Sequence, residues 1–244
     1  MPSQLTPLIA LDAVDYAPDG VPVLTDISFH AGARRIGIIG RNGSGKSSLA
    51  RVMAGLVDPD SGQVRIAGVD VARDRKAALR HVGILFQNPD HQIIFPTVEE
   101  EIAFGLTQLG LSKLQVSAGV TDILAQFDKV HWAPAAIHQL SQGQRQLVCL
   151  MSVLAMHPQV IILDEPFAGL DIPTALHLRR ILDGLDVTLV VITHDPNVVR
   201  GYDRLLWLEG GQVARDGTPG DVLPVFEARM TQIGDGDDLS YIAS

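Results

Sequence analysis

Cysteine is nearly absent. Cys149 is the single one in 244 residues, so no internal disulfide can form and a reducing cytosol is the expected setting. It lies inside the apolar run Leu147 to Met156, which points to a buried structural thiol rather than an accessible, electropositive nucleophile. That run is the longest apolar stretch, yet it covers only about half a membrane span. A buried helix is expected there and no transmembrane segment. Met1-Pro2-Ser3-Gln4 has neither a charged n-region nor an apolar h-region, so no signal peptide is read. Basic runs are missing as well. Lys+Arg of 19 against Asp+Glu of 28 leaves a formal charge of −9, which argues against a nucleic-acid partner and a polybasic membrane anchor. There is no internal repeat and no low-complexity tract.

What is present is ordinary globular material. Hydrophobic residues make up 46%, with 14 Pro and 23 Gly, enough for one large α/β domain or a core with a smaller lobe. Its centre is Gly40-Arg41-Asn42-Gly43-Ser44-Gly45-Lys46-Ser47, which fits G-x-x-x-x-G-K-[ST]. The short apolar run Arg35 to Ile39 precedes it as a strand. Ser48 to Ala54 follows at helical spacing and stops at Gly55. Strand, glycine loop and helix N-terminus together make a phosphate site, because backbone N–H groups and the helix dipole converge on the anion. Lys46 is expected to reach the β- and γ-phosphates and Ser47 to ligate Mg²⁺.

Before this unit, Leu8 to Val14 and Val23 to Phe29 read as strands joined by Ala17-Pro18-Asp19-Gly20. Tyr16 between them is either an aromatic platform for a nucleotide base or a strand-end tyrosine, and spacing does not separate the two. Gln63 to Ala67 and Val82 to Phe86 read as further strands, Arg73 to Arg80 as a polar helix. From Gln87 to about Gln139 apolar residues recur at helical spacing, the pattern of a helical lobe inserted into the core. Thr97-Val98-Glu99-Glu100 reads as a capping box, with Glu101 a third carboxylate at that helix start. A docking role for these acids stands beside the structural one. The expected division is a core of 1–86 and 144–222, a helical lobe of 87–143 and a tail of 223–244, sparse beyond Val222 and mobile at Gly234 to Asp238.

Ser141 stands at the N-cap of a long helix reaching Met156, so its hydroxyl and the first free N–H groups face whatever lies off that end. Val160-Ile161-Ile162-Leu163 is a run of the kind buried on both faces of a parallel sheet, and Asp164-Glu165 end it, where ligands of such sheets bind. Asp164 fits a Mg²⁺ role through coordinated water, and Glu165 a base polarising an attacking water. Pro173 to Asp183 reads as a helix. Val187 to Ile192 is a second buried strand, ending at Thr193-His194, where a histidine contact with a γ-phosphate is expected. Leu205 to Glu209 and Gln212 to Ala214 form a hairpin around Gly210-Gly211.

Six motifs in this order resemble an ATP-binding cassette (ABC) ATPase over nearly the whole chain: Walker A at Gly40 to Ser47, a Q-loop glutamine at Gln87, a signature at Leu140 to Gln144, Walker B with catalytic glutamate at Val160 to Glu165, a D-loop at Ala168 to Asp171, and a switch histidine at His194. The resemblance implies a P-loop NTPase core with a mixed, largely parallel sheet, an N-terminal antiparallel β-subdomain and an inserted α-helical subdomain. It implies ATP and Mg²⁺ held by Tyr16, Gly40, Asn42, Gly43, Ser44, Gly45, Lys46, Ser47, Ser48, Ser141, Gly143, Gln144 and Asp171. Ser47, Gln87 and Asp164 attend the metal, with Glu165, His194 and Gln87 as the catalytic set. Gln142 departs from the pattern, standing where the first signature glycine usually is, while Ser141 and Gly143 are retained. In such ATPases two chains, identical or paralogous, pack head to tail, and the signature of one completes the ATP site of the other.

The stretch Gln87 to Gln92 followed by Thr97 to Gly105 is similar to the energy-coupling factor branch, which implies an importer of a vitamin or a transition-metal ion. Its partners would be a transmembrane coupling protein and a substrate-capturing membrane protein, with this chain on the cytoplasmic face of the membrane. Phe95 to Gly110 and Leu147 to Met151 most resemble the biotin system, with cobalt and nickel close behind. The alternative is a soluble ABC ATPase of an assembly system, such as iron–sulfur cluster loading.

Overall fold

A computed structural model describes residues 7–236. Strands β1 (Ile9–Tyr16), β2 (Leu24–Ala31) and β3 (Arg35–Ile39) lead into helix α1 (Lys46–Met53). The chain continues through β4 (Ser61–Ile66), β5 (Val69–Asp70), α2 (Arg75–Ala78) and β6 (Val82–Leu85). Three helices follow: α3 (Val98–Gln108), α4 (Lys113–Gln126) and α5 (Gln142–Ala155). Then come β7 (Val160–Asp164), α6 (Ile172–Gly184), β8 (Thr188–Thr193) and α7 (Pro196–Val199). The hairpin β9 (Arg204–Glu209) and β10 (Gln212–Gly217) precedes α8 (Pro219–Gly236).

The strands form a four-stranded antiparallel sheet, β2-β1-β4-β5, and a six-stranded mixed sheet, β10-β9-β3-β8-β7-β6. In the larger sheet β9, β3, β8, β7 and β6 run parallel and β10 alone is antiparallel. Every residue of β7 and of β8 is buried, because alternate side chains enter opposite layers. Ile162, Val190 and Ile192 join β1, β2 and α1 in one core. Ile161, Leu163, Leu189 and Val191 join α3, α4, α5 and α6 in the other. At β7 and β8 the sheet therefore has no wet face, as continuous β-branched runs require. Cys149 is fully buried in the second core, and burial pushes its thiol up to about 12.

The expected elements are present, with shifted ends at several. Helix α4 begins at Lys113, seven residues earlier than the spacing of Val120 to Phe127 indicated, because Ser112 and Gln115 cap it reciprocally. The one clear departure is at the C-terminus, where a sparse segment was expected beyond Val222 and α8 forms instead. Pro224 and three glycines obscure its pattern in the sequence. Val222, Leu223 and Phe226 nevertheless share one face and pack on Val199, Leu205 and Trp207 at the sheet edge. Phe226 meets Trp207 edge-on, with ring centroids 5.6 Å apart. Ion pairs Arg200–Glu227 at 2.5 Å and Arg229–Glu209 at 3.7 Å flank the contact. Gly234, Asp235 and Gly236 end this helix, and Asp237 and Asp238 lie outside the described residues.

Phe226→Ala removes a ring that is 4% exposed and is expected to cost about 3–5 kcal/mol. Urea unfolding measures the loss, and amide exchange in α8 should rise before exchange in β7 does.

Candidate active site

The parallel strands deliver their C-terminal ends to one edge. Register pairs Ile39 of β3 with Thr193 of β8, and Ile192 of β8 with Asp164 of β7. The phosphate loop leaves β3 at Gly40, and Gly45 closes it at φ 97°, a left-handed conformation that opens α1 without a Cβ penalty. Lys46 is 6% exposed, and its ammonium donates to the carbonyls of Gly40 and Arg41, both at 2.8 Å. Burial lowers its pKa, while the carboxylates of Glu165 and Asp164 oppose that shift. Ser44 is buried, Ser48 half-buried, and Asn42, Gly43 and Ser47 face solvent. Tyr16 ends β1 half-buried, and its carbonyl accepts from Val23 N–H at 2.9 Å. Val23 in turn abuts Gly45, so the tyrosine is one residue removed from the phosphate loop.

Asp164 is 7% exposed. Burial raises its pKa, the Ser47 hydroxyl lowers it by hydrogen bonding, the Glu165 carboxylate raises it, and Lys46 and Arg51 lower it. Its Oδ1 is buried without a hydrogen-bond partner. A buried carboxylate oxygen with an open lone pair, next to a hydroxyl, fits Mg²⁺, a cation that takes one or two protein ligands beside phosphates. Ser47, Gln87, Asn88, His91 and Asp164 line a cavity of about 370 Å³ there. Among the described residues no group of three or more His, Cys, Asp or Glu converges as a metal cage.

Glu165 follows Asp164 at φ 48°, a sparsely populated conformation for a residue with a Cβ and one concentrated at functional sites. Its N–H bonds Ile192 O at 2.9 Å, which fixes the turn. Its side chain is gripped at both oxygens: His194 Nδ1 lies 2.7 Å from Oε1, and Thr193 Oγ1 donates to Oε2 at 3.1 Å. The Glu165–His194 pairing brings two expected residues into direct contact. Thr193 was not singled out in the sequence, and its signal was its place beside His194 at a strand end. Gly40, Arg41, Asn42 and His194 also border a cavity of about 560 Å³ whose far wall is α8, at Phe226 and Glu227.

The signature residues stand elsewhere. Ser141 caps α5, accepting from Gln144 N–H at 3.3 Å, while the Gln144 side chain accepts from Ser141 N–H at 2.8 Å. The Gln144 amide is thus engaged inside its own chain. Ser141, Gly143 and Gln144 line a cavity of about 330 Å³, and none of its lining residues borders the cavity at Ser47 and Asp164. Asp171 is exposed and caps α6 by accepting from Thr174 N–H at 3.0 Å. The Thr174 hydroxyl and N–H hold its carboxyl below the usual range. Two residues missed in the sequence tie α5 to the Q-loop. Arg145 pairs with Asp90 at 3.0 Å, and Gln146, 2% exposed, donates to Phe86 O at 3.4 Å. A glutamine opening an otherwise apolar buried run was the readable sign.

The acidic run is divided. Thr97 accepts from Glu100 N–H and its hydroxyl donates to Glu100 Oε2 at 2.6 Å, so the cap forms with a hydroxyl–carboxylate bond. Glu101 is 4% exposed, and its Oε2 accepts from the N–H groups of Ile94 and Phe95 at 2.9 and 3.0 Å. The expectation of Glu101 as a surface docking acid is therefore corrected: it is an internal brace. Glu99 and Glu100 remain exposed, on a cavity between α3 and α4.

A glycine loop at the head of a helix, a buried carboxylate opposite it and a braced glutamate at the same sheet edge define a P-loop NTPase. Residues 24–168 match the ABC transporter family. The chain is 54% identical to the biotin transport ATP-binding protein BioM of Rhodobacter capsulatus, over 91% of this chain and 95% of that one. It is 38% identical to the energy-coupling factor transporter ATP-binding protein EcfA of Methanocaldococcus jannaschii, over 86% and 78%. The solved cbiO1 of Clostridium perfringens, described as part of the ABC transporter complex cbiONQ, superposes with a TM-score of 0.76 at 28% identity, covering 93% and 95%. The chain belongs to the ABC transporter ATPases, and within them to the energy-coupling factor type. It is an ATP-binding, ATP-hydrolysing enzyme.

Because Asp164 has a raised pKa when folded, the folded state binds more protons than the unfolded one, so stability falls as pH rises from about 3.9 through that higher value. Asp164→Asn removes this cost. Without Mg²⁺ the variant should melt above the parent at pH 7, and the gap should close near pH 4. Melting curves at the two pH values test the sign.

Proposed function

We propose that this chain powers an energy-coupling factor importer of biotin, working as a head-to-tail dimer whose ATP sites are shared between copies. The observation that carries the reading is the separation just described. Lys46, Asp164, Glu165 and His194 gather at one sheet edge, while Ser141 and Gly143 open a different cavity. A helix N-terminus is a site for an anion, and a second copy supplies one.

In this mechanism the phosphate-loop N–H groups hold the β- and γ-phosphates, and Lys46 exchanges its two carbonyl acceptors for phosphate oxygens. Ser47 and Asp164, with Gln87 lining the same cavity, would hold Mg²⁺, which when bound would supply positive charge against the phosphate oxygens. Glu165 accepts the proton of the attacking water. The contacts at Oε1 and Oε2 restrict it to one orientation, which is the larger part of what a base needs here. Ser141 and Gly143 of the facing copy bind the far side of the γ-phosphate. ATP thereby favours the closed pair, since these contacts exist only there. Gln87 and His194 report the presence of the γ-phosphate.

No helix among the described residues is long and apolar enough to cross a membrane. By its likeness to the ATP-binding subunits of transporters, the chain works with separate membrane subunits, peripheral on the cytoplasmic face. The groove of about 500 Å³ between the core and the helical lobe suits a coupling helix. Leu56, Ile94 and Phe104 give it an apolar surface and Glu101 its floor. Biotin is favoured over cobalt or nickel by the identity with BioM across nearly the full length.

Glu165→Gln tests the centre of the reading. Hydrolysis should fall by about a thousandfold or more, and with ATP the variant should elute at twice the monomer mass. Brisk turnover would remove Glu165 as base, and a monomer would remove the shared site. Labelled biotin taken up by cells with the unsubstituted chain, and not with Glu165→Gln, checks the cargo.

A further inference from the structure

Gln142 replaces the usual first glycine of the signature, and its side chain has a destination. It is the first residue of α5, and its Nε2 lies 3.5 Å from Ala168 O. The carboxamide also rests against Gly169, where a Cβ would come within 2.9 Å of Nε2 and 3.5 Å of Oε1. Gly169 has φ 72°, so a residue without a Cβ is doubly required at that point. Ala168 turns back on the general base, its N–H donating to Glu165 O at 3.1 Å. One side chain thus spans from the helix tip that carries Ser141 to the loop that carries Glu165. A second fastening lies beside it. A Cβ on Gly143 would sit 2.3 Å from Thr174 Cγ2, and Thr174 N–H is held by Asp171.

We propose that Gln142 is a positioning residue that makes the two ATP sites of the dimer interdependent. The proposal rests on the head-to-tail reading above. There, Ser141 and Gly143 of one copy meet the nucleotide on the facing copy, while Glu165 of the same copy serves its own nucleotide. A shift of the α5 tip on engaging the facing phosphate is transmitted through the Gln142 amide to the Ala168 carbonyl, and through Ala168 N–H to the backbone of Glu165. Glycine at 142 has no reach. Glutamate has the reach but no donor, and it sets a carboxylate against the Ala168 carbonyl.

The test uses the full chain in steady-state ATP hydrolysis, comparing it with Gln142→Gly and Gln142→Glu. The unsubstituted chain should show a Hill coefficient above one for ATP. Both variants should bring it to about one and lower kcat by about three- to tenfold, with KM moving less than kcat. Glutamate in the first turn favours the helix, so its failure to couple is not a failure of α5 to form. The link is overturned if the unsubstituted chain is non-cooperative, if either variant keeps the parental Hill coefficient, or if both keep the parental kcat. Size measurement of the ATP-loaded Glu165→Gln chain separates the two ideas. A dimer with Gln142→Gly kinetics unchanged overturns the link alone, and a monomer overturns both.

Discussion

The constraint on which the molecule depends is the register of three buried parallel strands. With Ile39 opposite Thr193 and Ile192 opposite Asp164, the phosphate loop, the buried carboxylate and the glutamate–histidine pair all surface at one edge. Side chains alternate along a strand, so a slip of one residue would send Asp164 and Ile162 to the wrong layers. Close packing in the two hydrophobic cores opposes that slip, because every side chain of β7 and β8 is buried and would have to fit the layer shaped for its neighbour. Packing therefore sets the chemistry: the aliphatic residues that make the sheet insoluble on both faces also place the polar ones at its end.

Placing those polar groups has an opposing term. Asp164 and Lys46 are both nearly sealed from solvent, and burial shifts each toward its neutral form. Each also offsets part of the other's penalty, as does the hydrogen bond from Ser47. The site is held in a condition that a polyanion and a divalent cation relieve, so ligand binding and local stability rise together.

The parallel core was legible because its signals are local and redundant. Val160 to Leu163 is a run with one outcome in an α/β chain, and the loop from Gly40 to Ser47 needs its flanking strand and helix to make sense. Glu165 was readable from its place after that run. Its grip by Thr193 was not, since only β7–β8 pairing makes the two neighbours. Helix α8 was lost to Pro224 and its glycines, whose propensities are overridden by Trp207 and the ion pairs around it. The three consecutive acids looked alike in the sequence. Helical geometry separates them by about 100° each, so Glu101 turns inward while Glu99 and Glu100 do not. Gln142 was visible only as an exception, because its contact crosses to a loop 26 residues away.

Cys149, enclosed in α5 with its thiol displaced to about 12, leaves the protein with no thiolate for maleimides or peroxide at neutral pH. A fluorophore or spin label attached through a cysteine introduced on the surface would thus sit at one known place, and its surroundings can be followed without first removing the native cysteine.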